Sequence, residues 1–347
     1  MPTNRRPLLT LSIPTYNRVG SLRLLVDAVL RQSRSPGVLG EKLEILICNN
    51  ASTDGTSAYL DGLAKLEGVR VIHHPVNRGA VANGLFCCQE PFSKYVWIMG
   101  DDDVPLDGAI PAVLESLERD QPDLLYLPAR WVDGDLTDHA RGTLGQANLV
   151  PLTSLGLGMR ASVHVTFISS WVFNMEAYGI YARPPALDRY RDTVFPQLEW
   201  TLTLLRHGRV FLAATDAWLI ARPGSSGGYA VFDAFANQYN QIIREKLGDQ
   251  TQLQRFFRGA MLLCYMPRLV WGVRRQTIGN FGPFDKSAVM RTLQQEYGND
   301  RFFRWVLAPI VKLDVPAAWC FRVVAWAMWK AWAARFRRED GGVAGEA

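Results

Sequence analysis

No charge-free apolar run in this chain reaches the roughly 18 residues that a spanning helix needs, so the sequence predicts none. Cysteine is scarce: five in 347 residues, an odd number, with no CxxC spacing. That excludes a disulfide framework and a thiolate zinc site. Cys48, Cys87, Cys88, Cys264 and Cys320 read instead as reduced, mostly buried thiols of a cytoplasmic protein. Gly20 is the first glycine, so the early strand end at Ile13–Arg18 lacks the glycine-rich phosphate loop of a sugar-phosphate nucleotidyltransferase. There is no internal repeat, and Gly341–Ala347 is the only low-complexity stretch. Met1–Pro7 carries two Arg, and Leu8–Thr15 is too short and polar for a signal peptide. The net charge of +5 suits a phosphate-rich ligand or an anionic membrane surface; no nucleic-acid partner is expected.

What is present is an alternation. Apolar runs at Leu8–Ile13, Leu43–Cys48, Val69–His73 and Tyr95–Met99 read as buried strands. Between them, Ser21–Gln32 (with Ser21 as N-cap), Ser57–Leu66 and the end of Asn77–Glu90 read as helices. Ile110–Glu118 adds a helix and Asp123–Leu127 a strand. Four strands interleaved with helices in about one hundred residues predict an α/β fold with a doubly wound, mostly parallel sheet. Right-handed crossovers then set the strand ends along one edge. Beyond Arg130 the pattern loosens. Trp131–Leu149 reads as a loop or distorted hairpin, Val163–Asn174 as β-rich, Phe195–His207 as a helix and Val210–Ala221 as a strand pair or edge. Pro223–Gly228 is a glycine- and serine-rich loop, and Ala234–Arg338 reads as helices. The expected division is 1–230 (halves 1–128 and 129–230) followed by a helical region, 231–347.

The most informative stretch is Trp97-Ile98-Met99-Gly100-Asp101-Asp102-Asp103, where an apolar strand runs into three carboxylates. Packed carboxylates repel and are costly to desolvate without a cation. Hard oxygen ligands suit Mg²⁺ or Mn²⁺, and strand ends are where ligands of open α/β sheets sit. The plain alternative is a solvated turn. His73 and His74 are poor joint ligands, because neighbours on a strand face opposite ways. His164 reads as structural.

Taken in order, the strand-end motifs Pro14-Thr15-Tyr16-Asn17-Arg18, Asn49-Asn50-Ala51-Ser52-Thr53-Asp54-Gly55, Asn77-Arg78-Gly79 with Asn83, and Asp101-Asp102-Asp103 resemble glycosyltransferase family 2, of the GT-A fold. The likeness is strong over Leu8–Asp107 and weaker to about Gly228. Thr166–Asn174 and Phe195–Glu199 add a closer resemblance to abequosyltransferase-type O-antigen sugar transferases. This resemblance implies an inverting, metal-dependent transfer of a sugar from a nucleotide diphosphate donor to a glycan, carried on a polyprenyl diphosphate lipid. The place implied is bacterial surface polysaccharide synthesis, on the inner face of the cytoplasmic membrane.

The resemblance also implies roles. Pro14, Thr15, Tyr16 and Arg18 would line the nucleoside pocket, with Asn50, Asn77, Gly79 and Asn83 as further donor contacts. Asp101 would face the ribose or donor sugar, Asp102 would be the main metal ligand, and Asp103 the second. Arg222 and the loop after it would close over the phosphates. Two positions depart from the family. Asn49 stands where an Asp usually reads the base; an amide accepts or donates, so uracil, thymine and cytosine all remain open. Gln197 stands where the catalytic Asp is expected, and an amide is no general base. Glu199 and Asp192 are the replacement candidates. The same loss supports a rival reading, a catalytically degenerate scaffold of a membrane-bound assembly complex. Finally, Val315–Arg338 holds Trp319, Trp326, Trp329, Trp332 and Phe336, with Arg322, Lys330 and Arg337 close on the helical wheel. It reads either as an interfacial helix or as one packed on its own domain or a dimer partner.

Overall fold

A computed structural model gives the architecture and describes residues 6–134, 136–137, 139, 141–182, 186–222, 230–248, 251–277 and 283–339. The chain forms two compact units. The first comprises Met1–Pro151, Val165–Asp192 and Pro196–Arg222; the second comprises Leu152–His164, Thr193–Phe195 and Pro223–Ala347.

The first unit opens with β1 (Leu9–Thr15), α1 (Val19–Gln32), β2 (Leu43–Asn49), α2 (Thr56–Leu63), β3 (Val69–His73), α3 (Ala80–Gln89) and β4 (Tyr95–Ile98). It continues through β5 (Val104–Pro105), α4 (Ala109–Arg119), β6 (Leu124–Tyr126), β7 (Ala129–Trp131) and β8 (Leu149–Leu152). After α5 (Ser154–Ala161), which lies in the second unit, come β9 (Trp171–Asn174), α6 (Met175–Tyr181), α7 (Leu198–His207), β10 (Phe211–Ala214) and β11 (Leu219–Ala221). The main sheet has the order β3-β2-β1-β4-β9-β6-β10-β8. β1 runs parallel to β2 and β4, and β2 to β3, while β9 is antiparallel to both β4 and β6. A smaller sheet, β5-β11-β7, flanks it.

Near-continuous apolar strands need cover on both faces. Leu9, Leu11 and Ile13 of β1 and Leu43, Ile45 and Ile47 of β2 share one core with Leu22, Leu25 and Val29 of α1 and Ile110, Val113 and Leu117 of α4. The alternate residues Leu46 and Cys48 turn to the other face and meet Cys87 of α3. All five cysteines are free; Cys48, Cys87 and Cys88 are buried and Cys320 is exposed.

Four local expectations change. The first helix starts at Val19 rather than after Ser21, because the Asp54 carboxylate accepts the Val19 N–H at 3.3 Å and caps it from another loop. Val163–Asn174 is mostly 3₁₀ turn, Ser162–Thr166 and Ile168–Ser170, with only β9 as strand. β10 and β11 do not pair as a hairpin but enter different sheets. Trp131 is the end of a strand, β7, parallel to β11.

The second unit continues from α5 with α8 (Val231–Asp233), α9 (Tyr239–Leu247), α10 (Thr251–Gly259), α11 (Met266–Arg274), α12 (Lys286–Tyr297), α13 (Ala308–Lys312) and α14 (Val315–Glu339). π-helical stretches at Ala234–Gln238, Ala260–Tyr265 and Phe303–Leu307 run into α9, α11 and α13. Among the described residues no helix is long and apolar enough to cross a membrane. The aromatic set of α14 is divided. Trp329, Trp332 and Phe336 pack on Phe256 of α10, with ring centroids 6.1, 5.6 and 5.5 Å away, whereas Trp319 and Trp326 are each 55% exposed. Gly259 makes the packed half possible: a Cβ there would stand 2.2 Å from Trp332 Cζ2. Gly259→Ala is therefore expected to destabilise the unit by about 1–3 kcal/mol through overpacking, with a changed near-ultraviolet dichroism of the tryptophans. A stabilisation of up to about 1 kcal/mol, the plain helix-propensity effect of Ala over Gly, would contradict this packing.

Candidate functional site

The parallel registers set up one row along the carboxyl edge of the main sheet. Thr15 lies level with Asn49, and Asn49 with His73. Ser12 is level with Ile98, so three residues on Thr15 meets Asp101, and the Thr15 hydroxyl donates to Asp101 Oδ2 at 2.7 Å. The strand then breaks into the acidic turn. Gly100 and Asp103 are clamped from outside it by Ser169, which sits in the 3₁₀ turn before β9. Ser169 Oγ accepts the Gly100 N–H at 2.9 Å and donates to Asp103 Oδ2 at 2.5 Å, while its carbonyl accepts Trp97 Nε1–H at 2.7 Å. Ser169 is fully buried.

The three carboxylates therefore differ. Asp103 is buried, and burial, with Asp102 and Asp101 adding like charge, holds its carboxyl well above the usual range despite the Ser169 bond. Asp101 is buried too; that burial, opposed by Arg18 and Thr15, pushes it up to about 6. Asp102 keeps its side chain 18% exposed. The Arg18 guanidinium, at the start of α1, donates to Asp101 Oδ1 at 3.1 Å and to Asp102 Oδ2 at 2.8 Å. Asp102 Oδ1 and Asp103 Oδ2 both crowd Gly100: a Cβ there would lie 3.2 and 3.1 Å from them. The turn thus gathers carboxylate oxygens around one small, side-chain-free spot and already holds one cation.

The loops after β1 and β2 are braced to each other. Asn17, at φ 53°, accepts the Thr53 N–H on its Oδ1 at 2.7 Å and donates its own N–H to Ser52 Oγ at 2.9 Å. Asn17, Ser52 and Ser169 are the residues that sequence reasoning leaves out of the site. Asn17 and Ser52 fall inside quoted motifs, but Ser169 has only its place in Thr166–Asn174 as a signal.

The amides assigned to a ligand are largely committed within the chain. Asn49 is buried; its Oδ1 accepts the Ser52 N–H at 3.1 Å, and its Nδ2 donates to Ser57 Oγ and His73 Nδ1, both at 3.0 Å. Since an amide nitrogen only donates, His73 carries its proton on Nε2. Asn50 ties the third strand end to the second, donating to Asn77 Oδ1 at 2.8 Å and accepting the Arg78 N–H at 2.8 Å. Gly79, at φ 85°, is the exposed start of α3. Asn83 differs from the expectation that it faces the ligand: it is 2% exposed, donates to the Cys48 carbonyl at 3.0 Å and accepts from His74 at 3.1 Å, so it fastens α3 to β2. Tyr16 is exposed and Pro14 half-buried at the edge of β1.

On the far side, β11 runs antiparallel to β5 with Leu219 opposite Pro105 and Ile220 opposite Val104. Arg222 directly follows β11, the strand that pairs with β5 just after the acidic turn. The loop Pro223–Gly228 lies outside the described residues. Gln197 is buried and donates to the Thr166 carbonyl at 2.6 Å, bracing the turn that carries Ser169. Glu199 is 2% exposed in the first turn of α7, where it meets Thr203 at 3.4 Å and raises the Tyr178 hydroxyl, chiefly raised by burial. Glu199 is thus buried, while Asp192 is exposed. Trp131 and Phe167 pack their rings 4.8 Å apart, one at the end of β7 and the other two residues before Ser169.

Ser169→Ala leaves a buried carboxylate and a backbone N–H without their shared partner. Its expected cost is about 1–3 kcal/mol, read as a lower Tm, with restoration by Ser169→Thr. An unchanged Tm in the alanine variant would mean that the clamp contributes nothing.

Residues 10–178 match the family model for glycosyl transferase family 2. This part of the chain belongs to that family. Abequosyltransferase RfbV of Salmonella typhimurium is 29% identical over 133 residues, 38% of this chain and 38% of that protein. Among solved structures, TarS of S. aureus (residues 1–349) aligns with 97% of this chain and 88% of its own, at 12% identity and a TM-score of 0.51. The mannosyltransferase PcManGT from Pyrobaculum calidifontis, in complex with GDP-Man and Mn²⁺, aligns with 96% and 85%, at 15% identity and a TM-score of 0.51. At such identities the likeness establishes the fold, and the family 2 domain here is GT-A.

Proposed function

We propose that this GT-A protein transfers one sugar from a nucleotide diphosphate donor to a hydroxyl of a lipid-linked glycan, in surface-polysaccharide synthesis of the O-antigen type. The observation that carries the reading is the acidic turn at the carboxyl edge of the sheet. Its Asp101 and Asp102 hold Arg18 while Asp102 and Asp103 crowd the spot at Gly100. TarS in complex with UDP-GlcNAc and PcManGT with GDP-Man share the fold, which supports a nucleotide-sugar donor.

A divalent ion fits this donor set. Among the described residues there is no group of three or more His, Cys, Asp or Glu able to enclose a metal. Mg²⁺ and Mn²⁺ sites of this kind instead use one or two carboxylates and take further oxygens from substrate phosphates. Asp102 and Asp103 would hold the ion, and Arg18 is the cation that Asp101 and Asp102 hold otherwise. When bound, such an ion neutralises charge on the departing diphosphate.

The chain's own groups do the rest. Arg18 and Arg222 bring positive charge to the same phosphates, and Thr15 and Ser169 fix the carboxylates that face them. Inversion follows from single displacement: a carboxylate takes the proton of the acceptor hydroxyl as the opposite face of the donor carbon is attacked. Its exposure favours Asp192 over the sealed Glu199 for that proton. With the Asn49 amide committed to Ser52, Ser57 and His73, the base is left to the neighbouring backbone and to Tyr16. The exposed Trp and Arg face of α14 would keep the protein on the inner membrane surface, beside its acceptor.

One observation favours a second reading. Gln197 occupies the expected base position, as it would in a scaffold that binds donors without turnover. Release of nucleoside diphosphate from UDP-, dTDP-, GDP- and CDP-sugars with Mn²⁺ decides between them. Turnover of one donor class, lost in Asp192→Ala or Glu199→Ala while donor binding persists, supports the transferase and identifies its base. Metal-dependent binding without release from any donor points to the scaffold.

A further inference from the structure

We propose that a cavity in the second unit, between the π-helical stretch before α11, α11 itself and α14, seats the phosphate-bearing head of an anionic membrane lipid. This deepens the membrane reading above at one site and is independent of the transfer chemistry. The cavity is about 390 Å³, within the size range of small-molecule sites. Arg268 and Arg322 line it together with Trp319, Trp326 and Trp329. A third cation stands close. Burial raises the Cys264 thiol on its wall, and Arg268 and Lys330 both oppose that rise.

The aromatic rings orient the cations. Arg322 lies over Trp271 at 5.1 Å and Lys330 over Trp326 at 5.7 Å. On the cavity lining, Val323 is 44% exposed, and Trp319 and Trp326 are each 55% exposed. No Asp or Glu occurs from Ala260 to Arg275 or from Val315 to Arg338.

Charge chooses the occupant. A second copy of this face would set like charges against one another without a carboxylate to pair them, which disfavours a homodimer through it. An acidic peptide or a free phosphate would use the cations but leave Val323, Trp319 and Trp326 in water. A lipid headgroup satisfies both sets at once, phosphate on Arg268 and Arg322 and acyl chain against Val323, with Trp319 and Trp326 at interfacial depth.

The test is flotation of the full chain with vesicles of phosphatidylcholine alone and of phosphatidylcholine with phosphatidylglycerol. Binding is expected to the mixed vesicles, unaffected by inorganic phosphate at equal ionic strength. Removing two surface-proximal cations in Arg268→Gln/Arg322→Gln is expected to weaken it roughly thirtyfold, with the far-ultraviolet dichroism unchanged. Val323→Trp, which fills the mouth and keeps every charge, should weaken it too. Arg335→Gln/Arg337→Gln removes the same charge from outside the cavity lining and should cost at most a few-fold.

Equal losses in the two double variants would overturn the cavity and leave only general surface attraction. Competition by inorganic phosphate would overturn the lipid as occupant. Failure of the native protein to float would overturn both this site and the membrane reading, while donor turnover, measured separately on a soluble acceptor, would be untouched.

Discussion

Asp102→Ala is expected to lower kcat/KM by about 10³-fold or more, corresponding to about 4 kcal/mol of lost transition-state stabilisation. Asp102 is the one carboxylate of the turn with an exposed edge, and Asp101 and Asp103 are each turned inward to a hydroxyl partner. Stability should respond differently. The Arg18 pair that the variant breaks is 43% exposed on the Arg side and contributes at most about 1 kcal/mol. The same substitution removes like charge that bears on both buried neighbours. Tm is therefore expected to stay level or rise as activity collapses. A residue needed only for folding would show the reverse, a lower Tm with turnover lost in proportion. That pattern would remove Asp102 from the chemistry.

Between pH 4 and 6.5 the metal-free protein is expected to lose stability as pH rises, to an extent set by Asp101. Its carboxyl is pushed from 3.8 to about 6, chiefly by burial. A folded-state value above the unfolded one means that the native state binds the proton more tightly. The resulting stability is fully present below 3.8 and is lost as pH climbs through 6. A shift of about two units is worth about 3 kcal/mol, or roughly 5 °C or more in Tm. Asp103, also raised, acts with the same sign. Asp101→Asn should flatten the slope by its share. Mn²⁺ favours the deprotonated carboxylates, so the stabilisation it confers should grow over the same interval. Parallel curves for native and variant protein across this range would show that Asp101 titrates normally.

The alternation of strands and helices is legible in the sequence because each buried parallel strand is an unbroken apolar run and each helix has an apolar stripe. The acidic turn is legible because three carboxylates directly after such a run repel one another and call for a cation. What escapes depends on partners distant in sequence. β5 is two residues long and exists only because β11 pairs with it. Val163, Val165, Thr166 and Ile168 carry strand propensity, yet the backbone there turns tightly so that Ser169 reaches Gly100 and Asp103. Asn83 reads as ligand-facing in the sequence, since nothing local reveals that Cys48 and His74 claim both ends of its amide. The tryptophans of α14 form an interfacial pattern that is half packing, and Gly259, whose missing side chain admits Trp332, lies seventy-three positions away.

The central claim is a metal-dependent nucleotide site at the acidic turn. The most direct measurement is a thermal-shift panel of UDP, dTDP, GDP and CDP with and without Mn²⁺, on the native protein and on Asp102→Ala. Ligands that bind the native state raise Tm by mass action. The account expects a shift for one base, present only with the metal and absent in the variant. Shifts of equal size without Mn²⁺ or in Asp102→Ala, or no shift for any base, would contradict it.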